Sequence, residues 1–456
     1  MALTIVQQPA TVTDYKFIHG STYPTFYTAT DTLSSTKSDF KYVFTTKTSD
    51  GVVGNTKNSP RILEGLGAFD SQPIVNNLVS SMFQPTITNW TTCSDLIRQY
   101  RVDIQEFYDG IVQTPVTDYA KALVFKQNKE DFIFSNYVLT DSTKKMLTDK
   151  TGITPIRRTD YSTMRLLNAS MYATTYAPYI SQPYSILYTI RNTDGSGYIY
   201  SLHNPNPYWY TTIPINSNNL SFDDQAKTIS KRILEIPTGP KNLSGVTLDL
   251  IWVLGTPGNP DLPISPAFPT PGWQVFMNPN MDYYDVSCYT WPLGYVSKQY
   301  RYKIVCDTPN KPPIQLQWEN LLGGMDSFLF TLVNTKTNSY VSNTMQKNKY
   351  QQGHASTYSG NKNHYIGNNI YDRGTTQIYN EQTTTYTLNT DFLTQAQCND
   401  LESLWQSNYI FANIDGTYNG FVPVVSLSEA VVIKTTKAGL RQYSVDVQLS
   451  NKKYNL

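Results

Sequence analysis

Charge is what this chain has least of. Asp, Glu, Lys and Arg make up only 16% of its 456 residues, and 36 basic against 35 acidic side chains leave a net charge of +1, where about a quarter of a typical domain is charged. Such a balance gives no global reason to bind DNA, and the even spread of charge argues against a nucleic-acid domain. Cysteine is nearly as scarce. Cys93, Cys288, Cys306 and Cys398 share no Cys-x-x-Cys spacing, so they read as thiols of a protein made in a reducing compartment, with Cys306 and Cys398 as small buried side chains. A disulfide between Cys288 and Cys306 across paired strands is the minor alternative. The four histidines, His19, His203, His354 and His364, lie far apart in polar or aromatic stretches, which disfavours a four-ligand zinc site. No apolar run approaches the length of a membrane span, and Met1-Ala2-Leu3-Thr4 opens no signal-peptide pattern. Release from a cell would then need lysis or another signal-independent route. Gly-x-Ser-x-Gly, His-Glu-x-x-His, phosphate-loop and dinucleotide motifs are all missing.

What remains is a polar surface of Asn, Gln, Ser and Thr around a 39% hydrophobic composition with 35 Tyr and 7 Trp. Few charges must be paired when such a surface is desolvated against a neighbour, so assembly is a natural inference. The length suits two to four domains.

The chain is organised around residues 300–332. Tyr300, Tyr302, Ile304 and Cys306 share one side of a two-residue period, Ile314, Leu316 and Trp318 repeat it, and Gly323-Gly324 separates them from Ser327-Phe328-Leu329-Phe330. Three strands joined by two short turns are expected to form a meander. Trp318, Phe328 and Phe330 supply apolar surface for a sheet. Asn320, Glu319 and Asp326 read as turn and scaffold residues, with paired catalytic carboxylates as the minority reading for the last two.

Elsewhere the pattern is mainly that of strands. Phe40 to Phe44 predicts one, Ile74 to Phe83 a short amphipathic helix stopping at Pro85, and Tyr100 to Ile104 a strand that breaks into a Glu-Phe-Tyr-Asp-Gly turn. Asp103, Glu106 and Asp109 could in principle hold a hard cation, but the ligand count and turn spacing are absent and solvated turn carboxylates are the plainer reading. Tyr184 to Ile190, an Asp194-Gly195 turn and Tyr198 to Tyr200 predict a hairpin. Lys144-Lys145 and Arg157-Arg158 read as isolated solvent-facing pairs. Residues 231–237 and 247–253 predict two more strands, and 255–272 a Pro/Gly-rich connector. Tyr208, Trp209 and Tyr210, beside Asn204 and Asn206, have the chemistry of a sugar platform, while packing on a sheet or subunit is the plainer reading. Residues 327–371 contain no acid but carry Lys336, Lys347, Lys349 and Lys362, which predicts a weakly basic arm or loop laid on an acidic partner surface, with DNA contact thinly supported. Thr394 and Gln397 predict a capping box, followed by a buried stripe of Cys398, Leu401, Leu404 and Trp405 and by three strands within 408–449.

The run Trp318-Glu-Asn320-Leu-Leu-Gly323-Gly324-Met-Asp326-Ser-Phe328-Leu-Phe330 resembles a signature found in large tail or neck structural proteins, of ring or hub type, from tailed phages that infect Bacteroidetes, including crAss-like phages. Ser38 to Phe44, the strand ending in Glu106-Phe107-Tyr108, and the closing unit Leu401 to Ser407, Phe421 to Val425 and Gln442 to Leu449 fall in the order those proteins show. The resemblance touches 38–110, part of 184–200 and 298–449. It implies structural roles for the signature residues, carries over no catalytic residue or cofactor, and sets the chain in a virion made in a bacterial cytoplasm.

The expected architecture is mainly β with minor α: multi-domain antiparallel sheet or sandwich modules with a C-terminal helix-plus-sheet module. Its boundaries are read as an arm at 1–36, a β-rich module with a short helix at 37–116, a middle β-rich module at 117–282, the meander at 283–335, the basic arm or loop at 336–384 and the closing module at 385–456. The expected function is a non-enzymatic ring around the phage tail or neck axis, twelve-fold or six-fold, touching portal, hub or other tail proteins and no membrane. Tyr208, Trp209, Tyr210, Lys347 and Lys349 are its candidate interface residues. A peripheral receptor- or glycan-binding protein is the alternative, and a glycosidase using dispersed carboxylates such as Asp223 and Glu235 is a more distant one.

Overall fold

The structure is a computed structural model that describes residues 3–7, 18–20, 25–32, 34–48, 50–59, 65–114, 121–126, 146–167, 185–203, 233–255, 262–290, 294–306, 312–346, 350–353, 364–367, 375–414, 420–428, 441–451 and 453–455. It is mainly β with a few short helices, in several largely antiparallel sheets. Apolar side chains in these strands form three buried clusters.

In the N-terminal cluster, a three-stranded sheet (Thr4–Gln7, Phe26–Thr30, Leu66–Asp70) faces a six-stranded one whose central strands are Lys41–Thr48 and Ile97–Tyr108. Phe44 stacks on Phe69 with ring centroids 5.1 Å apart between them. The predicted helix is shorter than its apolar period implies. It runs only through Gln72–Val75 and a 3-10 turn at Asn76–Leu78, because residues 79–87 leave it to reach other modules. The strand at Ile97–Tyr108 likewise continues through Glu106, Phe107 and Tyr108 and turns only at Asp109-Gly110, both with positive φ.

The middle cluster is a sandwich. An eight-stranded sheet contains the predicted hairpin, Ser185–Asn192 with Gly197–His203, flanked by Met281–Thr290 and Thr247–Leu254. It packs on a three-stranded sheet of Thr163–Leu167, Ile233–Pro237 and Thr91–Thr92. Tyrosine fills this core because its polar tip finds carbonyls: Tyr188 donates to Pro237 O at 2.8 Å and Tyr284 to Thr238 O at 2.7 Å. Burial pushes the Tyr302 hydroxyl up to about 12. The Pro-rich connector expected at 255–272 contains a strand instead, Leu262–Pro271, which sits on the sheet's edge where missing N–H groups do no harm.

The expected three-strand meander is replaced by a crossing between sheets. Tyr300–Ile304 belongs to the middle sheet, whereas Ile314–Glu319 and Met325–Phe330 open the C-terminal one. Tyr300–Ile304 buries one face only, but both faces of the other two strands are buried. The glutamines that imitate a solvent face, Gln315 and Gln317, hydrogen-bond the Tyr161 carbonyl of the middle module.

That C-terminal sheet runs in the order 325–330, 314–319, Ile410–Asn413, Phe421–Ser426, Ser444–Leu449, Thr375–Asn389 and Thr335–Gln346. The helix Gln395–Trp405 lies across it and buries Cys398, Leu401 and Leu404. Its capping box is present: the Gln397 amide N–H donates to Thr394 Oγ1, and the Thr394 N–H donates back to the Gln397 side chain at 3.0 Å. Substituting Thr394→Ala should lower stability by about 1 kcal/mol in chemical denaturation, while Thr394→Ser should stay within a few tenths of the parent.

Candidate assembly site

The signature block works as a clasp between modules. Its turn is held by one side chain, Asn320, whose Oδ1 accepts from the Leu322 and Gly324 amides, both at 2.9 Å. The Asn320 Nδ2 donates to Leu147 O at 2.8 Å and to Asp326 at 3.0 Å. Gly323 adopts φ +76°, and a Cβ on Gly324 would lie 1.8 Å from Leu147 O. Backbone must therefore approach backbone here, which is why the sequence carries two glycines.

A strap at residues 146–153 lies in the clasp. Thr148 donates to Asp326 at 2.9 Å and Lys150 to Ser327 O at 2.6 Å. The amides of Thr151 and Gly152 donate to Asp400, and Gln397 to Ile153 O, both side chains projecting from the C-terminal helix. Trp318 is fully buried, donating from its indole to Ser403 on that helix at 2.9 Å, and Phe328 and Phe330 join Leu401 in the core. Trp405 packs edge-on against Tyr443, with a centroid distance of 5.5 Å. The ten signature residues read from the sequence all lie in this turn, in the strands beside it, or in the C-terminal helix and its cap.

A second junction centres on Arg165, buried directly opposite Glu235 in adjacent strands. Its guanidinium lies 3.5 Å from Glu235 and 3.8 Å from Glu319, and donates to Gly323 O at 2.9 Å and to Met82 O. Residues from three parts of the chain meet on this one cation. Phe83 follows, stacked on Phe411 at 3.8 Å. Glu235 is thereby fixed in a structural ion pair, with Thr163 and Cys93 as further donors. Asp223 lies outside the described residues.

Other sequence readings change with their surroundings. Asp103 and Glu106 are not solvated turn carboxylates: both are buried in the strand Ile97–Tyr108, Asp103 paired with Lys47 and Arg101 and Glu106 with Lys37. Among the described residues no cluster of His, Cys, Asp and Glu has metal-holding geometry. Arg157 is buried and paired with Asp160 at 2.7 Å, not solvent-facing. Cys306 is exposed rather than buried, and Cys288 is buried in the core of the middle module. The two cannot face each other, since Val286 pairs with Tyr300 and Tyr283 with Lys303, which sends Cys288 and Cys306 to opposite ends of their strands.

One arrangement could pass for a nucleophilic triad. Ser185 Oγ lies 2.7 Å from His203 Nδ1, and Asp249 lies 3.6 Å from His203 Nε2. Acyl transfer also needs N–H donors aimed at a developing oxyanion. Ser185–Asn192 is paired on both sides, so its amides are engaged in sheet ladders. A polar cleft of about 230 Å³ beside the strap is lined by Lys150, Gly152, Asp285 and Arg301, whose last two residues already form a bidentate pair at 2.8 and 2.9 Å.

The ribbon Thr335–Gln346 with Thr375–Asn389 presents a wholly exposed outer strand. Every residue of the outer strand is exposed, including Tyr340, Val341 and Met345 at 63%, 60% and 51%. It ends the sheet, so its outer row of backbone groups has no partner strand among the described residues. Lys336 is its only charge. The basic arm or loop expected here is thus strand over both described flanks, while Lys347, Lys349, Tyr208, Trp209 and Tyr210 lie outside the described residues. Sequence alternation is weak in Thr-Lys-Thr-Asn-Ser-Tyr-Val-Ser-Asn-Thr, which is why periodicity did not reveal the strand. No family model matches the chain, and no curated protein matches it.

Two expectations test the clasp. Asn320→Ala removes a side chain that satisfies four buried groups and should cost about 3 kcal/mol in denaturant unfolding; a loss below about 1 kcal/mol would show that the turn holds itself. Burial pushes the carboxyls of Glu319, Asp326 and Asp400 above the usual carboxylate range. A carboxyl raised on folding contributes stability that is fully present below its unfolded pKa, about 4, and lost as pH rises through its folded value. Glu319→Gln should therefore flatten the rise in Tm that these groups contribute on acidifying from neutral pH towards about 4.

Proposed function

We propose that this chain is a non-enzymatic virion structural protein that forms a closed ring around the tail or neck axis of a tailed bacteriophage and connects portal-proximal with distal tail components. The observation that carries this reading is the wholly exposed twelve-residue strand Thr335–Gln346 at the edge of the C-terminal sheet. A long, almost uncharged edge invites pairing with another chain, and soluble monomers normally block such edges. The low overall charge and net charge of +1 remove repulsion between copies. The resemblance of Trp318 to Phe330 and of the closing module to phage tail and neck proteins supplies the setting. It also supplies the expected partners, which are further copies in twelve-fold or six-fold array and portal, hub or tail proteins, after synthesis in the host cytoplasm. The buried clasp fits a load-bearing role, because the ribbon is carried by a sheet whose other edge is locked to the middle module.

The runner-up, a peripheral receptor- or glycan-binding protein, draws on Trp252, Phe268 and Trp273, which are exposed along the Leu262–Pro271 edge and the helix that follows it. Electron cryomicroscopy of the particle, with its symmetry and radial position determined, separates the two. A closed ring on the tail axis is expected. A peripheral trimer, or a monomer that cleaves polysaccharide, would overturn the ring.

A further inference from the structure

We infer that neighbouring copies join edge to edge, strand Gly51–Asn58 of one copy adding to the free edge of Thr335–Gln346 of the next. The inference rests on the assembly reading above and names the surfaces that would carry it. Nine described strands end one of the larger sheets, but only three of them have eight residues or more: Gly51–Asn58, Leu262–Pro271 and Thr335–Gln346. The second contains Pro263, Pro266, Pro269 and Pro271, and a strand lacking those N–H groups cannot extend a ladder. Met325–Phe330, at the other end of the C-terminal sheet, is wholly buried. Two long edges are left without such protection.

Their chemistry matches. Neither strand contains an acid, and each has one lysine, Lys57 and Lys336. Both expose apolar side chains, Val52 and Val53 on one and Tyr340, Val341 and Met345 on the other. β-Branched and aromatic side chains are favoured cross-strand neighbours. Each strand is also the outer member of a hairpin, paired on its inner side with Lys41–Thr48 or Thr375–Asn389. Near the base of the first hairpin, Asn58 donates to Ala68 O at 2.7 Å, which ties down its last residue. Pairing over eight residues gives a contact roughly 27 Å long. Two different edges on one chain make a head-to-tail contact, which each copy can both give and receive, and such a contact closes into a ring when its rotation divides a full turn. Pairing of Thr335–Gln346 with its own copy would instead be two-fold and stop at a dimer.

Hydrogen–deuterium exchange of the full chain, assembled and dissociated, tests this. Amides within 51–58 and 335–346 should both exchange at least about ten-fold more slowly in the assembly, and paired cysteines at Val53→Cys and Val341→Cys in a Cys306→Ser background should crosslink between copies. Rings in which either segment exchanges at its dissociated rate would overturn the edge pairing and leave the ring reading standing. Protection of 335–346 alone in a two-fold dimer would overturn head-to-tail pairing. A chain that stays monomeric, and is absent from any ring in the particle, would overturn the assembly reading itself.

Discussion

Arg165 is the constraint on which the arrangement of modules depends. A guanidinium with no exposed surface must find partners for its charge and its donors, and it finds them on three separate stretches: Met82 near the N-terminal module, Glu235 in the middle sandwich, and Gly323 and Glu319 at the C-terminal clasp. Desolvation works against its charge, but the carboxylates of Glu235 and Glu319 outweigh it and raise its pKa. A buried ion pair of this kind adds little over a well-packed apolar core, yet removing one member leaves an uncompensated charge. Its contribution is therefore to specificity. Its partners come from all three modules, so each of these contacts ties one module to the others.

The same logic governs the clasp around Asn320. Apolar cores within each module are close to self-sufficient and would tolerate some sliding against one another, but the strap at 146–153 is held by directional bonds from both the turn and the C-terminal helix. The Asn320 side chain is matched on both its oxygen and its nitrogen, whereas Gln315 Oε1 and Gln317 Oε1 nearby have no hydrogen-bond partner among the described residues. Asn242 extends the pattern, accepting from the Ser162 amide and donating to Pro85 O and Ile87 O. These networks convert several sheets into one frame, and a frame is what allows a projecting ribbon to hold a defined direction.

The sequence made the fold class legible where one face of a strand is buried and the other wet, as in Tyr300–Ile304, and where a local turn marks a hairpin, as Asp194-Gly195 does between Ser185–Asn192 and Gly197–His203. It misled where polar side chains are buried. Gln315 and Gln317 imitate a solvent face while bonding Tyr161, so a crossing between sheets read as a meander. Arg157 looked like a surface charge, and Glu235 like one of several dispersed carboxylates, because their partners, Asp160 and Arg165, give no periodic signal. The Thr394 capping box was readable because it is local, needing only residues three apart. The role of residues 79–87, which bind two distant modules, was not, because nothing in a short window records a partner some eighty to more than three hundred residues away.

The contrast between sheet edges then has a physical reading. Leu262–Pro271 shows that this chain can blunt an edge, placing four prolines in ten residues where a ladder would otherwise grow. Gly51–Asn58 and Thr335–Gln346 have the same exposure to a passing strand and none of that protection. A lysine every few residues would have sufficed to block them, at little cost in an exposed hairpin. Instead the outer ribbon strand has a single lysine in twelve residues and sets Tyr340 and Val341 near its middle, so the edge with the least defence is also the one with the most apolar surface to bury.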